Sequence, residues 1–451
     1  MAGTLVSQTR LRCDRAVTSL ADYREAGGCI GLEIARGLEP SEVIALVTEA
    51  GLRGRGGAGF PTGAKWRSVR DAADNTTQVV CNAAEGEPAT FKDRWLLRRN
   101  PYQVFEGLLI AAHAAGAWTA FLALKRSFAP ERAAVERARS ELADAGLLGD
   151  VHVEIVAGPD DYLFGEETAM LEVIEGRPSL PRVLPPYQVG LFAQRGSRNA
   201  TVVNNAETLA HVPTIFGEGV SEFRSLGTDD SPGTMLFTVC GDVRRARVVE
   251  LELGTPLREL ISTYGGGTPE GRAPKAVFPG ASVAVLTAEQ LDTPLSYEAL
   301  REVGSGLGSG GFAVYDDSAC IVQATAAFTR FLHAGSCEQC PACTRGCAQI
   351  SAALERIEAG KGDEDDLDIV RSKARSVTGG ARCGLPLGAQ HLVQSVLANF
   401  ADELEAHLGQ RCPHPRRLPF PHLADFDEEA GLFIFAGQSG RVLDDQAGSS
   451  R

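Results

Sequence analysis

The sequence predicts three units in succession: an α/β layer with a largely parallel sheet, a small α+β roll, and a C-terminal bundle of three or four helices. Three observations predict this. The 451 residues are enough for about three domains of roughly 150 residues each. Helical and strand patterns alternate over residues 41–230, as they do where helical crossovers join parallel strands. Helical periodicity then runs almost unbroken over residues 318–408.

Residues 1–40 read as a mixed leader with no clear period. Within 41–230, Pro40-Ser41 opens a helix that Gly51 closes, and residues 78–81 read as a short strand. Asn100-Pro101 is an N-cap followed by proline at the first helical position, leading into a helix over 102–115. Residues 119–124 and 151–156 read as strands, 130–145 and 166–175 as helices. The 231–315 unit holds short β-rich pieces at 234–240, 248–253, 276–278 and 283–286 around one helix near 256–263. The 316–408 unit breaks at 335–341, 360–363 and 379–386, which separates its helices. The tail, 409–451, carries Pro413, Pro415, Pro419 and Pro421 and reads as extended or partly disordered.

Composition excludes several classes of function. The 44 basic and 58 acidic residues give a net charge of −14, which argues against a nucleic-acid or anionic-membrane binder. The N-terminus lacks the apolar core of a secretory signal. The longest apolar stretch, 107–124, follows Glu106 and contains His113, so it reads as a buried helix running into a buried strand, not a membrane span. A cytoplasmic protein is the default expectation. Eleven cysteines are too few for a disulfide scaffold and point to reduced thiols or metal ligands.

Two motifs carry chemistry. Cys337, Cys340 and Cys343 form a C-x2-C-x2-C run, and Cys383 sits in another interhelical break 40 positions after Cys343. Three close thiolates and one remote thiolate suit a [4Fe–4S] cluster. Zinc is the alternative metal, although its sites more often pair two separate C-x2-C units. Cys347 is a rival fourth ligand, but four ligands on one short turn would crowd a cubane. The second motif runs from Gly51 to Trp66 and holds six glycines in thirteen positions up to Gly63. Gly54, Gly56 and Gly59 match G-x-G-x-x-G, yet a helix precedes the loop and Pro61 interrupts its exit, so a simple dinucleotide turn does not fit. The exposed backbone N–H groups, with Arg53, Arg55 and Lys65, suit a phosphate or a flat cofactor lying against the chain.

Several segments together resemble one family. They are Arg53 to Trp66, Cys81-Asn82-Ala83-Ala84-Glu85-Gly86-Glu87-Pro88, Phe91-Lys92-Asp93-Arg94, Gly165-Glu166-Glu167-Thr168-Ala169, Asn204-Asn205-Ala206-Glu207-Thr208, and Ser336 through Cys343. The chain resembles the flavin-bearing NADH-oxidising subunit of respiratory complex I and the related diaphorase subunits of NAD-dependent formate dehydrogenases and hydrogenases. The resemblance covers roughly residues 40–408. It implies an FMN-binding α/β domain, a ubiquitin-like β-grasp domain and a four-helix iron–sulfur bundle. It implies FMN, a [4Fe–4S] cluster on Cys337, Cys340, Cys343 and Cys383, and NAD(H). It gives Gly54, Arg55, Gly56, Gly57 and Lys65 to the FMN phosphate and ring. It places Asn82, Glu85, Glu87, Tyr162, Gly165, Glu166, Glu167, Asn204, Asn205 and Thr208 around the flavin and nicotinamide, with Glu85, Glu166 and Glu167 nearest the chemistry. Phe60 and Tyr187 would flank the adenine or the pocket mouth. The chain departs from the family pattern at Ser68, Ala84, Ala89, Leu184 and Glu338, and relatives commonly carry glycine at the positions of Ala89 and Glu338.

The function implied is electron input: hydride from NADH to FMN, then single electrons to the cluster and on to a [2Fe–2S] thioredoxin-like subunit and a further iron–sulfur subunit, with quinone as acceptor. Such a complex would sit at the inner face of the cytoplasmic membrane through its partners. Three alternatives stay open. One is a cofactor-bearing electron-transfer or assembly subunit with a degenerate nucleotide site, another is a diaphorase of a formate dehydrogenase or hydrogenase, and the third is a thiol-based redox sensor. For Glu166 and Glu167, plain helix N-terminal charge is the competing reading.

Overall fold

The computed structural model describes residues 9–73, 76–410, 412–413 and 416–436. Its first sheet has four strands, β1 (Gln78–Asn82), β2 (Thr119–Lys125), β3 (His152–Gly158) and β4 (Thr201–Asn205). They lie in the order β3-β2-β1-β4 and are all parallel. The chain steps outward from β1 to β3 and then returns to the other side of β1. The order therefore reverses between β1 and β4, where open parallel sheets leave a crevice at their carboxyl ends. Helices cover the sheet, and β1 is accordingly buried along Gln78–Cys81. The central helix, Pro101–Ala115, is buried along almost its whole length. The Asn100 side chain accepts from Gln103 N at its start, and Gly116 ends it at φ +70°.

Within the stretch read as a leader, residues 9–40 form two short helices, Leu20–Glu25 and Ile30–Arg36. Buried Glu106 anchors them by accepting from Tyr23 Oη and from the backbone N–H groups of Cys29 and Leu32 (both 2.8 Å). Helices of six and seven residues are too short for periodicity to reveal.

The second sheet has five strands: β5 (Thr234–Gly241), β6 (Arg247–Glu252), β7 (Pro274–Phe278), β8 (Leu286–Thr287) and β9 (Gly311–Asp316). Their order is β6-β5-β9-β7-β8, with β5 and β9 parallel and the other pairs antiparallel. Phe237, Leu257, Leu260, Val277, Leu300 and Phe312 form its own core. The strand expected over 283–286 shrinks to Leu286–Thr287, because Ser282 and Val283 turn into a cavity instead.

Helices Ile321–Ala334, Pro341–Glu358, Glu364–Ser376 and Leu385–Asn399 follow, each packed on the next, with the last returning against the first. Ile350, Leu354, Leu367, Val370, Leu392 and Val396 fill the space between them. Stacking of Phe278 on Phe328 (4.9 Å between centroids) joins this unit to the second sheet. The expected extended tail is irregular over 416–422, and it then forms a hairpin, β10 (Leu423–Asp427) against β11 (Leu432–Phe435). Phe426 and Phe433 pack on Phe91 of the first domain. Burial of these aromatic side chains outweighs the turn-forming bias of the preceding prolines. Residues 437–451 of the predicted tail lie outside the described residues. No helix among the described residues is long and apolar enough to cross a membrane.

Candidate functional site

All three units meet at a cavity of about 450 Å³, within the range of small-molecule sites. Its floor is the crevice between β1 and β4, marked by Asn82 and Asn205 at the strand ends. Gly56, Gly57 and Ala58 form one side, and residues 84–87 with Tyr162, Leu163, Gly165 and Glu166 form another. The second sheet contributes Ser282, Val283, Gly308 and Ser309, and the helical unit contributes Leu332, Cys383, Gly384, Leu385, Leu387, Gly388 and His391.

The glycine loop is fixed from several directions. Gly54 N donates to Phe60 O (2.9 Å), Arg55 N to Thr208 Oγ1 (2.8 Å), and Tyr297 Oη to Gly54 O (2.7 Å). Arg53 lies over the Tyr297 ring at 4.3 Å. Gly57 has φ +127° and Gly59 φ +62°, and a Cβ on Gly59 would strike the Tyr297 ring at 2.5 Å. The loop therefore brings bare backbone to the cavity with its conformation set. Its helix begins immediately after Pro61, over Thr62–Ala72. Arg55 is fully buried beneath the loop, with Nη2 donating to Pro232 O (3.0 Å).

Two predicted residues act as supports. Trp66 is fully buried and donates Nε1–H to Asn204 Oδ1 (2.7 Å), which holds Asn204 away from the cavity. Lys65 Nζ donates to Val203 O (3.1 Å) and pairs with Glu167 (2.8 Å). On the wall, Asn82 Nδ2 donates to Gly165 O (2.7 Å). Asn205 Nδ2 donates to Asp93 (2.6 Å), while its Oδ1 accepts from Lys92 (3.2 Å). Buried Lys92 also pairs with Asp93 and Glu207, both at 2.8 Å, which compensates a charge that burial alone would forbid.

The wall carboxylates differ from one another. Glu166 is the N-cap of helix Glu167–Ile174 and accepts from Thr168 N (3.0 Å), Thr168 Oγ1 (2.6 Å) and Ala169 N (2.8 Å). The helix-terminus reading thus describes its bonding, although it also lines the cavity. Glu87 is held by Tyr162 Oη (2.7 Å) and Ala281 N (2.6 Å). Glu85 accepts from Asp93 N at Oε2 (2.9 Å), while its Oε1 is withdrawn from solvent with no partner. Burial, then the Asp93 charge, pushes the Glu85 carboxyl up to about 8. An orphaned acceptor on a cavity wall is what a bound ligand would satisfy.

The four predicted thiols converge. Cys337, Cys340, Cys343 and Cys383 line a second, smaller cavity with Leu163, Ser336, Arg382, Leu385 and Pro386. Cys347 is buried beside Cys343 and does not line this cavity. Burial raises the Cys383 thiol to about 11, a shift that a bound cation would offset. Leu163, Cys383 and Leu385 border both cavities, so the thiol site and the large cavity share a wall.

Phe60 and Tyr187 are not brought into the large cavity; they are 52% and 41% exposed and border solvent. Sequence reasoning missed Ser282, Ser309 and His391, which line the cavity with no motif around them, and Leu163, which lies between the predicted Tyr162 and Gly165. Asp93 had a signal, in the Phe91–Arg94 segment.

Comparison with known proteins agrees with this arrangement. Residues 47–214 match the Nuo51 FMN-binding domain, 236–281 the SLBB domain, and 323–407 the iron–sulfur binding region of NADH-ubiquinone oxidoreductase-F. The chain is 40% identical over 407 residues to an NADH-quinone oxidoreductase subunit of Rhizobium meliloti, covering 87% of this chain and 96% of that one. It is 36% identical to the NADP-reducing hydrogenase subunit HndC of Solidesulfovibrio fructosivorans, covering 88% and 82%. A solved NAD+-reducing [NiFe]-hydrogenase in its H2-reduced state superposes with a TM-score of 0.76 at 38% identity, covering 85% of this chain and 64% of that longer one. The chain thus belongs to the family of FMN- and [4Fe–4S]-bearing, NADH-oxidising electron-input subunits of respiratory NADH dehydrogenases and of hydrogenases.

Proposed function

We propose that the large cavity holds FMN and the nicotinamide of NADH, and that the thiol cavity holds the [4Fe–4S] cluster. Bound FMN converts a two-electron hydride donor into a source of single electrons, which an iron–sulfur cluster takes one at a time. The residues present fit both groups. Gly56 and Gly57 bring backbone to the cavity for a phosphate and a flat ring while Gly54 is tied to Phe60 and Tyr297 beneath them, the Glu85 Oε1 acceptor awaits a partner, and the four thiols close on one space. Arg55 and Thr208 would set the loop, Lys65 would act through Glu167 and β4, and Asn204 through Trp66. Asn82, Glu85, Glu87, Tyr162, Gly165, Glu166 and Asn205 would orient the ring and the nicotinamide ribose. The single observation that carries the reading is the shared wall of Leu163, Cys383 and Leu385.

The middle unit, 231–315, is read as a β-grasp, supported by its parallel first and last strands at the centre of the sheet. The 316–408 unit is read as a four-helix bundle, supported by the closed succession of helix contacts. Quinone is proposed as the final acceptor, by way of a [2Fe–2S] thioredoxin-like subunit and a further iron–sulfur subunit. The Rhizobium relative, matched over 96% of its length and named as part of a quinone oxidoreductase, supports this over hydrogen coupling. Anaerobic titration tests the core of the reading. NADH should bleach the flavin absorbance and generate the spectroscopic signal of a reduced cluster, and Cys383→Ser should abolish only the second change. A flavin that stays oxidised under excess NADH would reject it.

A further inference from the structure

Outside the two cavities, one cluster of ligand-type side chains stands apart: Cys320, His407 and Cys412, whose Sγ, ring-nitrogen and Sγ atoms all lie within 4.8 Å of one another. We propose that these three residues bind a structural zinc ion that ties the two ends of the helical unit to the start of the tail.

The geometry suits that ion. Zn–S bonds of about 2.3 Å place neighbouring ligand atoms of a tetrahedron roughly 3.6–3.8 Å apart. Cys320 Sγ and His407 Nε2 are 3.3 Å apart, so small side-chain shifts suffice. His407 is fully buried, and its orientation is set from behind, since Nδ1 lies 2.6 Å from the Glu403 carbonyl oxygen. A carbonyl only accepts, so Nδ1 carries the hydrogen and the Nε2 lone pair faces the two sulfurs, the usual arrangement of a metal-binding histidine. Cys320 is the N-cap of helix Ile321–Ala334, and its sulfur accepts from Gln323 N (3.3 Å), which fixes the sulfur's position beside His407 and Cys412. Two thiolates and an imidazole are borderline-soft donors that select zinc over magnesium or calcium. These three are the protein ligands among the described residues, and water completes the tetrahedron.

The site is separate from the iron–sulfur thiols. Cys320 starts a helix of 14 residues whose far end leads to Cys337, which places the two sites about 20 Å apart along that helix. Its surroundings are structural. Lys275 of β7 pairs with Glu403 (2.6 Å) and donates to Ala319 O (2.9 Å), and Glu403 accepts from Ile321 N (2.8 Å). The ion would thus close the 87-residue span between Cys320 and His407 and hold Cys412 at the seam with the second sheet. Zinc has no redox chemistry of its own, so it adds stability without competing for electrons.

The test is metal analysis of the full-length chain purified anaerobically. About one zinc per chain is expected beside about four irons. Cys320→Ser and Cys412→Ser should each remove the zinc while iron and flavin stay, which also shows that the variants fold. Cys337→Ser should remove iron and leave zinc. Zinc-edge X-ray absorption of the unaltered chain should show two sulfur neighbours and at least one nitrogen. Absence of zinc, zinc that departs with Cys337→Ser, an all-sulfur shell, or a Cys320–Cys412 disulfide in the mass spectrum would each overturn the proposal. None of these outcomes depends on NADH oxidation.

Discussion

Glu85→Gln isolates the orphaned carboxyl of the large cavity. Glutamine preserves the shape of the side chain, its oxygen can keep the hydrogen bond from Asp93 N, and its amide group replaces the unpartnered Oε1. The folded chain raises this carboxyl from 4.5 to about 8, so the folded state holds its proton more tightly than the unfolded state. Stability is therefore undiminished below pH 4.5, falls as pH rises toward 8, and stays level above that. At about 1.4 kcal/mol per unit the penalty would approach 5 kcal/mol, and relaxation of the neighbouring Lys92 and Asp93 charges reduces it to on the order of 3 kcal/mol. Urea unfolding of the flavin-free chain at about pH 5, 6.5 and 8.5, wild type against variant, reads this directly. The variant should match wild type at the lowest pH and exceed it by roughly 3 kcal/mol at the highest. A difference that stays constant across that range would refute the assignment of a buried, ligand-seeking carboxyl.

Trp66→Phe should cost about 1–3 kcal/mol in urea unfolding, because it strands the Asn204 oxygen in a buried site. Glu338→Gly should raise the melting temperature of the cluster-free chain; φ +63° at Glu338 strains any side chain, and relief less the entropy of glycine leaves a net gain of about 0.5 kcal/mol. Iron analysis should show Cys347→Ser retaining about four irons per chain and Cys383→Ser losing them, as their positions off and on the thiol cavity require.

The α/β alternation and the interhelical breaks were legible because they depend on local periodicity, and the helix breaks predicted at 335–341 and 379–386 are where the thiols emerge. The convergence of the four proposed cluster thiols was legible for the same reason, since three of the four lie within one short run, Cys337 to Cys343. The helix at Thr62 was hidden because Pro61 reads as a break, whereas here it stands at the helix entrance. Phe60 and Tyr187 lie close in sequence to residues that shape the site, yet nothing local indicates that their rings point outward. Ser282, Ser309 and His391 reach the cavity only through the packing of separate units, and such packing leaves no mark at neighbouring positions. The trio of Cys320, His407 and Cys412 is spread over too long a span for spacing to join it.

The hairpin of β10 and β11 has a consequence for biosynthesis. Its aromatic residues cover Phe91, and its carbonyls receive Arg94 (2.7 Å to Ala424 O). Phe433 is translated about 340 residues after Phe91, a delay of roughly 17–70 s at about 5–20 residues per second. Throughout that interval the nascent first domain exposes an aromatic patch beside the segment carrying Lys92 and Asp93. Chaperone occupancy of ribosome-bound chains should therefore persist until β11 emerges.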